Sequence, residues 1–109
     1  MNEQAAVLTR LDDVIRLRKE EPSEESYTCR LLQGGLDGLN SKVREEAQEL
    51  CEAASQQDRP AIVHEAADLM YHVMVLMRRF DLGLGDLEGE LSRRFGVSGI
   101  EEKRRRGES

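Results

Sequence analysis

The residues of this chain best suited to chemistry are carboxylates in two groups, Glu45-Glu46-x-x-Glu49 and, beyond residues 50–64, Glu65-x-x-Asp68. Positions three and four apart share a helix face, so each group projects to one side of its helix. An antiparallel helix pair that brings the groups together gathers all of these carboxylates into one pocket. Like-charge repulsion makes such a pocket unstable unless a hard cation neutralises it. Oxygen-only ligands suit Mg²⁺, with Mn²⁺ as the alternative, whereas Cys29, Cys51, His64 and His72 lack zinc-ligand spacing. Mg²⁺ keeps several waters and shares its shell with substrate phosphates, which points to nucleotide hydrolysis. His72 lies one turn beyond Asp68 and is placed to hydrogen-bond that carboxylate as an outer partner. The competing reading of His72 is a satisfied core histidine. His64, at the edge of the same polar stripe, is assigned no role. The chain has no G-x-x-x-x-G-K-[ST] loop, no G-x-G-x-x-G and no visible Ser-His-Asp or Cys-His set, so phosphates must be held by metal and basic side chains.

The elements that position these groups read as helices. Few prolines and aromatics, with many Ala, Leu, Glu and Arg, favour an all-α chain. Leu8, Leu11, Val14 and Ile15 keep helical spacing and predict a first helix over 3–20, ended by Glu21-Pro22-Ser23. Ser26 is the expected cap of a short helix to about 33. Gly34-Gly35 and Gly38 loosen the chain before a long helix over 39–57. Asp58-Arg59-Pro60 reads as a helix start, with Asp58 or a neighbour as cap and Pro60 in the first turn. That fourth helix runs to about Phe80, and a fifth, capped by Asp86, to about Phe95.

On the third helix, at about 100° per residue, Lys42, Glu45, Glu46, Glu49 and Glu52 fall within an arc of about 120°. Leu39, Val43, Ala47, Leu50 and Ala54 lie on the adjoining arc and are expected to face the core. Taken alone, this is an ordinary amphipathic helix with a solvated acidic face. The fourth helix differs. Its apolar residues, from Ile62 to Met77, cover most of the circumference, which predicts burial in a bundle or an oligomer interface. His64, Glu65, Asp68, Tyr71 and His72 interrupt it as one polar stripe of about 120°. Carboxylates on a buried helix need a partner, and no Lys or Arg lies within this helix between Arg59 and Arg78.

Length and charge bound the rest. A chain of 109 residues is one domain with a modest core. Its net charge of −6 argues against nucleic-acid or anionic-membrane binding as a main role. No apolar run is long enough for a bilayer, and MNEQAAVLTRLDD lacks the layout of a signal peptide, so a cytoplasmic protein is expected. Cys29 and Cys51 fit reduced thiols acting as small core residues. The body is expected over 1–97. The remainder, 98–109, is a charged tail that needs no role as a solvated end, although its basic half offers a contact for an anionic substrate.

With these residues in place the chain resembles the all-α nucleoside-triphosphate pyrophosphohydrolase superfamily, through EExxE followed by ExxD. Within it the chain is similar to the phosphoribosyl-ATP pyrophosphatase family. The residues that carry this are Ser26-Tyr27-Thr28 with Leu31-Leu32, Lys42-Val43 before the acidic motif, Glu65-Ala66-Ala67-Asp68-Leu69-Met70-Tyr71-His72, and Leu91-x-x-Arg94-Phe95-Gly96. The similarity spans about 8–97. Arg44 departs from it, standing where family members usually carry Gly.

The resemblance implies hydrolysis of 1-(5-phosphoribosyl)-ATP to 1-(5-phosphoribosyl)-AMP and pyrophosphate in histidine biosynthesis. It implies that Glu45, Glu46, Glu49, Glu65 and Asp68 hold Mg²⁺ on the triphosphate, with Glu46 or Glu49 acting on the attacking water. Lys42 is then the first candidate for a phosphate contact, with Arg30 and Arg44 next, and Tyr27 and Thr28 line the substrate pocket. It further implies a small bundle of four to five helices completed by homodimerisation; the chain is expected to stand alone, without a fused cyclohydrolase. Two other readings compete: a housecleaning (d)NTP pyrophosphatase with the same metal cluster, and a non-catalytic helical dimerisation module whose glutamates are surface decoration.

Overall fold

The computed structural model describes residues 6–95 together with 103, 104, 106 and 107. Among these the chain is all-α, with helices α1 (Val7–Glu20), α2 (Tyr27–Gln33), α3 (Leu36–Ser55), α4 (Arg59–Arg79) and α5 (Leu84–Arg93). Residues 1–5, where the first helix was expected to begin, and most of the charged tail lie outside the described residues.

Local chemistry accounts for most helix boundaries. Ser26 caps α2, its hydroxyl accepting from the Cys29 N–H at 3.2 Å. Asp58 caps α4 in the same way, accepting from the Ala61 N–H at 3.1 Å, with Pro60 in the first turn. Gln57, at φ 57°, makes the sharp reversal between α3 and α4. α3 and α5 both start earlier than expected, and both also end earlier, at Ser55 and Arg93. α3 starts at Leu36 and absorbs Gly38 in its first turn, where the Gly38 N–H donates to the Gly35 carbonyl at 3.2 Å. A glycine weakens a helix interior more than a first turn, whose N–H groups lack helical partners in any case. Asp86 is not the cap of α5. The helix begins at Leu84, and Asp86 stands in its first turn with its carboxylate accepting the Gly83 N–H at 2.8 Å.

The core is built from one or two residues of each long element. Ile15 of α1, Leu39 of α3, Met74 and Val75 of α4 and Leu84 of α5 are buried together, with Leu31 and Leu32 of α2 packed against them. α3 and α4, joined by a short connection, form the most extensively packed pair. The buried residues of α3 are Leu39, Glu46 and Ala53, seven apart in each step. That spacing is the seam of a helix pair. The seam therefore runs along the border of the apolar and acidic arcs, and Ala53 rather than Ala54 is buried at its end, while Ala54 is exposed. Both thiols are free. Cys29 is buried, donating to the Arg18 carbonyl at 3.1 Å, but Cys51 is exposed and not a core residue. No described helix is long and apolar enough to cross a membrane.

α4 is not wrapped by the rest of the single chain. Val63, Ala66, Ala67 and Met70 are exposed, Val63 at 71%. They share an arc of about 100° around the helix.

Candidate metal centre

Because Glu46 occupies a seam position, its carboxylate is carried into the α3–α4 interface, where only 7% of the residue remains exposed. One ligand oxygen from each of Glu46, Glu49 and Glu65 lies within 4.8 Å of the others. Asp68, one turn further along α4, adds its charge to the field at Glu46. The structure thus brings Glu46, Glu49, Glu65 and Asp68 together from two helices.

These groups are not satisfied by the protein. Oε2 of Glu46 and Oε2 of Glu65 are buried without a hydrogen-bond partner. A proton shared with Glu49 is the internal relief open to them, and both carboxyls are pushed above their ordinary range. For Glu46 the first cause is burial, then the charge and hydrogen bonding of Glu49 and the charge of Asp68, with His72 offsetting in part. For Glu65 it is hydrogen bonding with Glu49, then burial and the Glu49 charge, with His64 offsetting. Clustered carboxylates whose oxygens are buried and unpaired fit a hard divalent cation as the missing partner.

The other candidate residues are distributed around this cluster. Glu45 is exposed and pairs with Lys42, Nζ to Oε2 3.5 Å, outside the close groups. Tyr27 first, and Glu45 second, hold the Lys42 ammonium above its ordinary pKa. Tyr27 and Thr28 open α2 and are tied to α4: the Tyr27 hydroxyl meets His72 Nε2 at 3.2 Å, and the Thr28 hydroxyl hydrogen-bonds the Tyr71 hydroxyl. The Tyr27 and Tyr71 rings stack with centroids 6.4 Å apart. Arg30 and Arg44 are exposed, and Arg44 lies about 160° around α3 from Lys42, away from the carboxylates.

His72 does not bond the Asp68 carboxylate. It is buried at 6% exposure, and its Nδ1 meets the Asp68 backbone carbonyl at 2.9 Å. A backbone carbonyl only accepts, so Nδ1 carries a proton and the ring is fixed with Nε2 toward Tyr27. The side chain that does reach Asp68 is His64, with Nε2 3.3 Å from Oδ2. Its four-residue spacing from Asp68 was the available signal, but its place at the stripe's edge suggested no contact. Tyr71 was likewise visible in the stripe without its partner on α2.

Fold and site define an all-α bundle whose central helix pair holds a cluster of unpaired carboxylates. The family model for phosphoribosyl-ATP pyrophosphohydrolase matches residues 8–95, and the chain belongs to that family of hydrolases. It is 44% identical to the phosphoribosyl-ATP pyrophosphatase of Rhodopirellula baltica, over 94% of this chain and 88% of that one. It is 48% identical to the protein of the same name from Pyrobaculum islandicum, over 82% and 95%. For that of Geobacter sulfurreducens the figures are 43%, 99% and 100%.

Proposed function

We infer that this chain hydrolyses 1-(5-phosphoribosyl)-ATP to 1-(5-phosphoribosyl)-AMP and pyrophosphate, a step of histidine biosynthesis. The observation that carries the reading is the family match over 8–95, with the unpaired carboxylates of Glu46 and Glu65 inside it. In this reading Glu46, Glu49, Glu65 and Asp68, with Glu45 at the rim, hold Mg²⁺, or Mn²⁺ in its place. The bound cation supplies neutralising charge for the triphosphate and the departing pyrophosphate. Glu46 or Glu49 orients the water and accepts its proton. Water attacks one phosphorus of the α–β anhydride, that phosphorus loses its bond to the bridging oxygen, which leaves with the other product, and the water's proton passes to the carboxylate.

Lys42, released from Glu45, contacts phosphate as a point charge. Tyr27 and Thr28, held from behind by His72 and Tyr71, line the pocket. Arg30 and Arg44 reach substrate only from outside the cluster. The exposed apolar stripe of Val63, Ala66, Ala67 and Met70 supports a homodimer in which α4 of each copy packs beside the site. The free thiols of Cys29 and Cys51 accord with a cytoplasmic enzyme.

Pyrophosphate release from phosphoribosyl-ATP and from a panel of ordinary (d)NTPs, with Mg²⁺ and with EDTA, tests the reading. Mg²⁺-dependent turnover of phosphoribosyl-ATP alone is expected. Turnover of (d)NTPs instead would move the chain to the housecleaning class, and inactivity on every substrate would leave the non-catalytic helical module.

A further inference from the structure

We propose that His64 is itself a ligand of the divalent cation in this chain, adding an imidazole nitrogen to the carboxylate oxygens and turning the centre's preference from Mg²⁺ toward Mn²⁺. The proposal rests on the reading above that the cluster holds a cation. Its geometric basis is the run His64-Glu65-x-x-Asp68, which puts a nitrogen and an oxygen donor four residues apart on one helix face, with a third donor between them. Spacing of i and i+4 is the one by which a single helix presents two ligands to one ion.

In the structure the side chains have converged. His64 Nε2 is 3.3 Å from Asp68 Oδ2, and one ligand atom each of His64, Glu65 and Asp68 lies within 4.8 Å of the others. Glu65 also belongs to the group with Glu46 and Glu49, so the donor sets are joined through one carboxylate. The joined set contains a residue more than nine-tenths buried, Glu46, whose Oε2 has no partner. The imidazole adds an exposed nitrogen donor next to Glu65 and Asp68, at the edge of that joined set.

As a surface ion pair alone the contact would contribute little. The His64 side chain is 71% exposed and that of Asp68 41%, a setting in which such pairs contribute little. Hard Mg²⁺ gains little from a nitrogen donor, whereas imidazole suits first-row transition ions, of which Mn²⁺ also accepts carboxylates and water. The predicted effect of His64 is therefore on which ion is held.

The test uses the full chain stripped of metal, titrated separately with MnCl₂ and MgCl₂ by calorimetry and by thermal melting, as wild type, His64→Ala and Glu46→Gln. Wild type should bind Mn²⁺ more tightly than Mg²⁺. His64→Ala should lose about tenfold or more in Mn²⁺ affinity, with less than about a twofold change for Mg²⁺. Glu46→Gln should weaken both. Spin-echo modulation from a directly bound ¹⁴N should appear on Mn²⁺ in wild type and vanish in His64→Ala. Equal response of both ions to His64→Ala, or no ¹⁴N signal in wild type, overturns the proposal while leaving the carboxylate centre standing. Failure of wild type to respond to either ion overturns both.

Discussion

Charge is handled in opposite ways along α4. At its C-terminal end Lys19 donates to the carbonyls of Arg78 and Arg79, at 3.1 and 3.2 Å, and to the Asp81 carboxylate at 2.6 Å. Arg78 meets Asp12 of α1 at 3.2 Å, and Arg79 reaches the carbonyls of Leu32 in the last turn of α2 and of Gly34 just beyond it. These groups satisfy the orphan carbonyls of a helix end and fasten three helices together. Among the described residues, Arg78 Nε alone remains buried and unpaired there. Toward the N-terminal half, Glu65 and Asp68 instead face Glu46 and Glu49 across the α3–α4 seam, and buried oxygens lack partners. The end that holds the fold together is neutralised from within the chain. The carboxylate region is left with unpaired buried oxygens, and substitutions should separate the two.

The largest effect is expected in the unpaired region. Glu46→Gln removes charge and proton acceptor while keeping volume, and should lower pyrophosphate release by about 10²–10⁴-fold. Without metal the variant should melt no lower than wild type, since it relieves repulsion at a buried site. Wild type should gain stability with Mg²⁺ by mass action, and the variant should lose most of that gain. A metal-free variant that melts far below wild type would place Glu46 among the structural charges and collapse the contrast.

Arg78→Ala probes the opposite end. With the partners 12% and 21% exposed, its loss leaves Asp12 partly buried without a cation, at a cost of about 2–3 kcal/mol, below the range for fully buried pairs. Denaturant unfolding should show that loss, while the response to Mg²⁺ persists. Gly83→Ala should give a smaller loss by the same route, since an added Cβ would strike the Arg78 guanidinium and come within 3.2 Å of Asp12 Oδ2.

Between these regions, Tyr71→Phe removes the hydroxyl that meets Thr28. About 1 kcal/mol of stability should be lost. If the tether serves to hold α2 over the substrate, KM for phosphoribosyl-ATP should rise more than kcat falls. An unchanged KM would assign the pair to folding alone.

Most of the fold was legible because its signals are local: Ser26 and Asp58 cap their helices through neighbouring N–H groups, and the apolar periodicity of α3 and α4 sets the helix pair. The site was legible as residue types on two faces. What escaped depends on the rotation of one helix against another. A turn of a few tens of degrees decides whether Glu46 is a surface charge or a seam residue, and periodicity alone places it on a border. The same limit hid the bond of His72 to a backbone carbonyl, since side-chain types do not reveal which acceptor lies nearest. Asp86 was misplaced by three residues because a carboxylate marks a helix start in either of two places. It is the cap, accepting an N–H two or three residues on, or it stands at the third position, accepting the N–H of the cap residue as Asp86 does from Gly83.

The smallest effect, and the one that compares the regions most directly, is in pH. Glu46 and Glu65 have folded pKa values raised above the ordinary carboxylate value, Glu46 by burial first and Glu65 by hydrogen bonding with Glu49 first. As pH rises from that ordinary value, the unfolded chain releases these protons before the folded one does. The folded state then binds more protons than the unfolded, and metal-free stability falls with rising pH until the raised values are passed. Asp81 behaves oppositely, its pKa lowered by hydrogen bonding to Lys19, as does Glu90, held at about 2 by Arg93 and Arg94. Their stabilisation is fully present above the ordinary carboxylate value and is lost as pH falls through the lowered ones. Chemical denaturation of the metal-free protein across the acid range, in wild type, Glu46→Gln and Asp81→Asn, should separate the two slopes. Glu46→Gln should flatten the decline toward neutral pH, and Asp81→Asn the loss toward low pH. Saturating Mg²⁺ should reverse the first slope, since a cation held by ionised carboxylates favours their proton release. A decline toward neutral pH that survives both Glu46→Gln and Mg²⁺ would show that the carboxylates of α3 and α4 are not its source.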